Sequence, residues 1–527
     1  MIHRVLIVAS VAALGIAVSP PAKPAFAVEA QSGPLERYAA YVGRPDAFVA
    51  TYRTVAVRKP GAAAASPEPA AGADSAPDET GESTTYRRGA LFHEIVRSAG
   101  VSTEGGFNGR AYWSANENRY TVLLLEDAAR RAITFNAIAG GAIPEGTTSR
   151  ETGTETLDGA LADVVRVTPR GGVSADLAID RASGALRRVV FDPDDRYRRA
   201  TLRITGYTEI APGVRIPAAY RYGEGPRHEL LRGATRVVSD DELAAPKPAS
   251  AWSFGKGEPV LFDVERGTYA GRQVILHASI NGRPGRFLLD SGAGQILLYE
   301  PYAKSLGLTV LGKTAYQGIS GGSRSARFAR AETIAVGDNT LSNVVVAVSE
   351  RDADAKLTYD GILGFDLLAG ALVSVDLTKN AITFADPSQF QPTVEKGAFA
   401  FPVNLADNTP EVLVKVGNAM TRATFDTGDS HFATLSENLV TSGRLVASPI
   451  GSIYFTGVDG ITPEPATCYD LNEISVGPYR YQHPQVCLAK EAVFGKDGGL
   501  IGFDFLRHFN WTFDYTRGRV VMTPNGT

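Results

Sequence analysis

The chain makes the same unusual turn twice. "RFLLDSGAGQILL" carries Asp290-Ser291-Gly292 at the end of an apolar run, and "ATFDTGDSHFATL" carries Asp426-Thr427-Gly428 in the same place. A single turn of this kind is ordinary, because Asp, Ser, Thr and Gly all favour turns. The surroundings repeat as well. Each aspartate follows a strand and a tight turn, Asn281-Gly282 in one case and Gly417-Asn418 in the other. Each is followed 17 residues later by a glycine placed to cap a short helix, Gly307 and Gly443. An apolar-apolar-Gly element comes next, in "DGILGFDLL" and "GGLIGFDFL", with Gly364 at offset 74 and Gly502 at offset 76. Twelve residues further stand Asp376 and Asp514, each before a closing apolar strand. Agreement at so many offsets predicts two copies of one folding unit, each about 130 residues long. Both copies read as mostly β, without the alternating helices of a parallel α/β sheet.

The residue types in each copy suit one chemistry. Gly292 and Gly428 offer backbone angles that a side chain forbids in a sharp turn. The hydroxyls of Ser291 and Thr427 are placed to brace a neighbouring loop. Gly364 and Gly502 allow a second segment to approach the Asp turn closely. Two carboxyl groups about 3 Å apart cannot both ionise readily, so they share a proton. The ionised one then draws a proton from water while the protonated one polarises a carbonyl.

This layout resembles the aspartic protease family, in particular the bacterial retropepsin-like and pepsin-like proteins, over about residues 257 to 525. The resemblance implies a bilobal fold of two related β-barrel-like lobes, each supplying one catalytic aspartate. By position these are Asp290 and Asp426, with Ser291, Gly292, Thr427, Gly428, Gly364 and Gly502 supporting the two active loops. It further implies glycine-rich flaps that admit a peptide and then exclude water. "YQGISGGSRSARF" (Tyr316, Gly318, Ser320, Gly321) and "YFTGVDGITPEP" (Phe455, Gly457) are the candidates, with plain exposed turns as the alternative. One residue departs from the pattern. Asp429 follows Gly428, where the first copy has Ala293. It either raises the cost of ionising the pair or turns away, to solvent or to cap a turn, and His431 stands close enough in sequence to neutralise part of its charge.

Competing chemistries find little support. "GISGG" at 318–322 matches a nucleophile pattern around Ser320, but the residues after it alternate like a strand rather than opening a helix. No histidine spacing suits zinc, and neither a metal nor a cofactor is expected. A net charge of −4 provides no basic field for nucleic acid.

At 527 residues the chain holds more than one core, about three units by length. Residues 1–27 read as an export signal: Arg4, an apolar run from Val5 to Val18, and Ala25-Phe26-Ala27 as the cleavage site. The alternative is a membrane anchor, for which the run is short against the roughly 20 apolar residues of a span. The mature protein is accordingly expected in the periplasm or outside the cell. Residues 28–238 form a β-rich unit interrupted by a disordered insertion at 61–83, rich in Ala, Pro and acid. Residues 239–256 read as a linker, 257–390 as the first lobe and 391–527 as the second. Over about residues 85 to 235, the turns and strands are similar to the lipoprotein-carrier half-barrels of bacterial envelopes, which implies a concave face able to hold an acyl chain.

Cys468 and Cys487 are the only cysteines. In an exported chain an even pair suggests a disulfide, and a simple hairpin turning at Gly477-Pro478 sets the two opposite each other; free structural thiols are the alternative. Two functional readings result. One is an exported, monomeric aspartic endopeptidase with one site, acting on peptides or unfolded proteins through Asp290 and Asp426. The other is a non-catalytic envelope protein, binding lipid or lipoprotein through the N-terminal half-barrel and peptides through protease-like lobes.

Overall fold

The computed structural model describes residues 33–43, 46–55, 81–139, 146–194, 199–266, 272–317, 323–349, 358–390, 394, 396–455, 464–494 and 497–526. The protein is mainly β. Residues 1–27, expected as an export signal, and most of the 61–83 insertion lie outside the described residues. The strand Gly81–Arg88 begins inside the segment expected as a loop, where Gly81, Glu82 and Ser83 pair with Thr54, Arg53 and Tyr52 of Ala47–Val55.

The N-terminal unit is one antiparallel 13-stranded sheet. It consists of two meanders joined where Ala47–Val55 pairs with Arg227–Thr235. Its inner face is filled by alternating apolar residues such as Tyr52, Leu177, Ile204 and Tyr220. Two helices pack against that face, and neither was expected from the sequence. Pro34–Val42 starts with proline in its first turn and buries Tyr38 and Val42, one helical turn apart. Glu126–Ala139 opens with two acids, as the helix dipole favours, and buries Ala137 and Ile138. The apolar period of Pro34–Val42 is short and easily lost among strands.

The second half shows the predicted repeat. In the first copy Arg283–Leu289 runs into Asp290, and Gly361–Leu363 lies parallel beside it, with Leu289 opposite Leu363. In the second copy Ala419–Phe425 runs into Asp426, and Gly499–Ile501 lies parallel beside it, with Phe425 opposite Ile501. Gly307 and Gly443 both take left-handed angles (φ 61° and 73°) after their short helices.

A shared sheet joins the copies. Its strands run Val260–Arg266, Ala381–Ala385, Leu372–Asp376, Phe509–Asp514, Arg519–Pro524, Phe399–Pro402. At its middle Ser374 pairs with Thr512, the equivalent residue of the other copy, and their hydroxyls hydrogen-bond at 2.9 Å. A residue paired with its own equivalent marks a pseudo-twofold axis. One apolar core extends continuously through both copies.

Residues 239–256, expected as a linker, carry regular structure of their own. Ser239 caps the helix Asp240–Leu243, and Glu242 returns a bond to the Ser239 N–H. Ala251–Ser253 adds as a strand beside Asn339–Ser349. Trp252 drives this docking, with its ring 5.5 Å from Phe254 and 5.4 Å from Phe384.

Cys468 and Cys487 form a disulfide across the hairpin. The register that sets them opposite continues from Asp470–Gln485 through Glu473–Gln482 to the turn at Gly477. Because the bridge closes a 19-residue separation, replacing both cysteines with serine should lower unfolding free energy by about 2–4 kcal/mol. Urea titration measures this, and an unchanged midpoint would show that the hairpin register holds without the bond.

Candidate active site

Each aspartate is brought to the site by an apolar strand that ends at it. Leu288 and Leu289 in the first copy, and Ala423 and Phe425 in the second, anchor those strands in the core. The backbone is then tied across. Asp290 N–H donates to Leu363 O at 3.1 Å, and Asp426 N–H donates to Ile501 O at 2.9 Å. Within each turn the glycine N–H reaches back to its own aspartate, Gly292 to Asp290 Oδ1 and Gly428 to Asp426 Oδ1, both at 2.8 Å.

The two turns hold each other. Ser291 N–H donates to Thr427 Oγ1 at 3.0 Å, and Thr427 N–H donates to Ser291 Oγ at 3.1 Å. The hydroxyls donate onward, Ser291 to Phe425 O at 2.6 Å and Thr427 to Leu289 O at 2.7 Å. Leu289 and Phe425 are the residues just before the aspartates, so four reciprocal bonds fix both carboxyls from both sides. Ser291 and Thr427 are 1% and 0% exposed, so a lost partner leaves a buried polar group unpaired.

The glycines serve a different purpose from the one their turn position suggests. Neither Gly292 nor Gly428 has a positive φ. A Cβ on Gly292 would stand 2.4 Å from Asp426 Cγ, and one on Gly428 would stand 2.6 Å from Asp290 Cγ. They are glycines because each faces the opposite carboxyl, so the reason is room rather than backbone angle. Gly364 and Gly502 do carry the close approach expected of them: added Cβ atoms would meet Ala293 O at 2.4 Å and His431 O at 2.2 Å.

Asp290 and Asp426 hydrogen-bond each other. Burial pushes both above the ordinary carboxylate range. The charge of Asp429 adds to burial at both, against hydrogen bonds from the Gly292 and Ala293 N–H groups to Asp290 and from the Gly428 N–H to Asp426. The pair therefore keeps one proton between its two groups.

Asp429 combines two of the roles open to it. Its N–H donates to Asp426 Oδ1 at 3.1 Å, while its Oδ1 accepts from His431 N–H at 3.1 Å and contacts His431 Nδ1 at 2.8 Å. That contact is the leading reason the His431 imidazole is pushed above its ordinary value. Asp429 thus caps its own turn and also adds negative charge to the pair. Tyr515, missed in the sequence, is buried close enough to Asp290 for the carboxylate charge to add to burial in raising its hydroxyl. Its hydroxyl has no hydrogen-bond partner among the described residues.

The candidate flaps are hairpins in both copies. Thr309–Gln317 pairs with Ser323–Val336, and Pro449–Phe455 pairs with Glu464–Asp470. Tyr316 and Phe455 stand near the tips of those strands. Gly318, Ser320, Gly321 and Gly457 lie outside the described residues.

A second carboxylate beside the first active loop also escaped the sequence. Asp366, two residues after Gly364, is 1% exposed. Burial pushes it up to about 6 against hydrogen bonds from Asn118, the Ile296 N–H and Asn116. The only sequence signal was the shared Gly-Phe-Asp of the two copies.

The pair's proton is bound more tightly in the folded chain than in the unfolded one. The stability it contributes is present in acid and is lost as pH rises from about 4, the ordinary carboxylate value, through the raised values of the pair. Asp426→Asn should therefore melt above wild type at pH 7, by about 1.4 kcal/mol for each unit of raised affinity removed, and the gap should narrow toward pH 4. Calorimetry across that range tests it; a gap independent of pH would show that no proton is shared.

Comparison with known families places one part of this site. Residues 276–367 match the family model for aspartyl protease, a span that includes Asp290, its turn and Gly364. No curated protein matches the chain at a significant level.

Proposed function

We propose that this protein is an exported aspartic endopeptidase that cleaves peptides or unfolded proteins between Asp290 and Asp426. The observation that carries the reading is the reciprocal bracing of the Ser291 and Thr427 turns, which holds two buried carboxyls in hydrogen-bonding contact. The aspartyl protease match over residues 276–367 supports it from the first copy. The disulfide supports the exported location, since such bonds persist in oxidising compartments.

One shared proton divides the pair into two roles. The ionised member takes a proton from a water lying between the carboxyls. The protonated member donates a hydrogen bond to the scissile carbonyl oxygen. Water adds to the carbonyl carbon as the protonated member passes its proton to the carbonyl oxygen, giving a neutral tetrahedral gem-diol intermediate. The member now carrying the water's proton passes it to the leaving nitrogen as the C–N bond breaks, and the other takes back the proton of the collapsing hydroxyl. Asp429 keeps negative charge beside the pair, which extends the singly protonated form toward higher pH. One chain carries both aspartates, so a monomer suffices.

Wild type should hydrolyse an unstructured protein between pH 3 and 8, while Asp290→Asn and Asp426→Asn should lose activity by at least about 1,000-fold. Equal rates in all three would remove the pair from the chemistry. Gly292→Ala, whose Cβ would stand 2.4 Å from Asp426 Cγ, should fold and yet lose roughly 100-fold in kcat. Circular dichroism and steady-state kinetics on the same sample separate those two effects.

A further inference from the structure

The N-terminal sheet does not sit apart from the protease-like lobes. The turn between its strands Tyr112–Ala115 and Thr121–Leu123 enters the first lobe directly behind the Asp290 loop. Asn116 and Asn118 are 5% and 1% exposed there. Tyr120 belongs to the core of the lobes, its ring 6.4 Å from Phe365 and edge-on to it, with its hydroxyl accepting from Ser250 at 2.9 Å. Asn118 pairs with backbone as a strand does, donating to Val345 O at 2.8 Å and accepting from Val345 N–H at 2.7 Å.

Asn116 reaches furthest. Its Oδ1 is occupied by the Asn118 and Tyr120 N–H groups at 3.1 and 3.0 Å, so its amide nitrogen must point away from its own turn. That nitrogen donates to Asp366 Oδ1 at 2.7 Å. The other oxygen of Asp366 accepts from the Ile296 N–H at 3.1 Å, at the far end of the Asp290 loop. The loop is also tied at Asp290 N–H to Leu363 O and at Ala293 O to Phe365 N–H. Asp366 is the side-chain tie among these, and the N-terminal unit fixes its orientation through Asn116, with Asn118 as a second donor.

The second lobe is an internal control. The residue equivalent to Asp366 is Asp504, two after Gly502. Its side chain is 57% exposed and pairs with Arg507 at 3.0 Å. The Asp426 loop instead carries its own carboxylate, Asp429, which accepts from His431 N–H. One loop is braced from within and its twin from another domain.

We propose that Asn116 is a positioning residue for the Asp290 loop, acting through Asp366, so that the N-terminal sheet is an integral part of the first half of the site rather than a separate binding module. The proposal rests on the protease reading for its kinetic consequence but not for its structural one. The first turn of the helix Glu126–Ala139 makes a parallel contact on the second lobe, where Glu126 and Asp127 pair with Arg422 on the strand leading to Asp426. The sheet therefore touches the approach to both aspartates.

The test is a swap in full-length protein. Asn116→Asp and Asp366→Asn singly should lower kcat roughly 10- to 100-fold with KM little changed, and should raise amide hydrogen exchange across 290–299 while leaving 426–435 as in wild type. The double variant restores a donor and an acceptor in exchanged positions. The amide introduced at position 366 donates to the carboxylate introduced at position 116, and its oxygen still accepts from Ile296 N–H. The double variant should recover most of both losses. Should a single variant fail to fold, Asn116→Gln, which keeps the amide but moves it by one methylene, is judged by the same two readouts. Wild-type exchange and kcat in the singles, or a double no better than the singles, would overturn the proposal. If wild type cleaves nothing, the protease reading fails and the exchange measurement still decides the role of Asn116.

Discussion

Two carboxyl groups held within hydrogen-bonding distance repel once both are charged, and every other feature of this site answers that constraint. The four bonds made by Ser291 and Thr427 hold the acids together. Gly292 and Gly428 leave the space between the turns that side chains would fill. A shared proton removes one charge, and burial favours its retention. Symmetry makes the arrangement economical in residues, because one set of contacts serves both halves. The Ser374–Thr512 pair extends the same relation into the sheet beneath.

The symmetry breaks just outside the turns, and it does so through charge. The second loop carries Asp429 and its partner His431, while the first carries Ala293 at the matching position. The first lobe places its extra carboxylate at Asp366 and covers it with asparagines from the N-terminal sheet. Asp429 stands on one loop only, yet its charge adds to burial in raising both carboxyls of the pair, so a local asymmetry acts on the shared proton as a whole.

The sequence made some of this legible. The duplicated offsets exposed the repeat, the Asp turns and the close approach at Gly364 and Gly502, because a repeat is a one-dimensional signal. The cysteine register was legible because an uninterrupted hairpin is set by its turn. The true reason for Gly292 was not, since its neighbour is Asp426, far along the chain. The docking of residues 251–253 and the partner of Asn116, 250 positions away, were equally hidden. The helix Pro34–Val42 carried a readable apolar period but sat among stronger strand signals.

By itself, then, the sequence determined which residues recur and what chemistry their types allow: paired acids, hydroxyls and glycines in a mainly β chain. Only the tertiary structure decided which groups meet. It set the acids against each other, turned Asp429 toward His431 and tied Asp366 to a different domain. The physical reason is that residue type and local spacing are written along the chain, whereas burial, field and hydrogen-bond partnership depend on distances in space that no linear offset encodes.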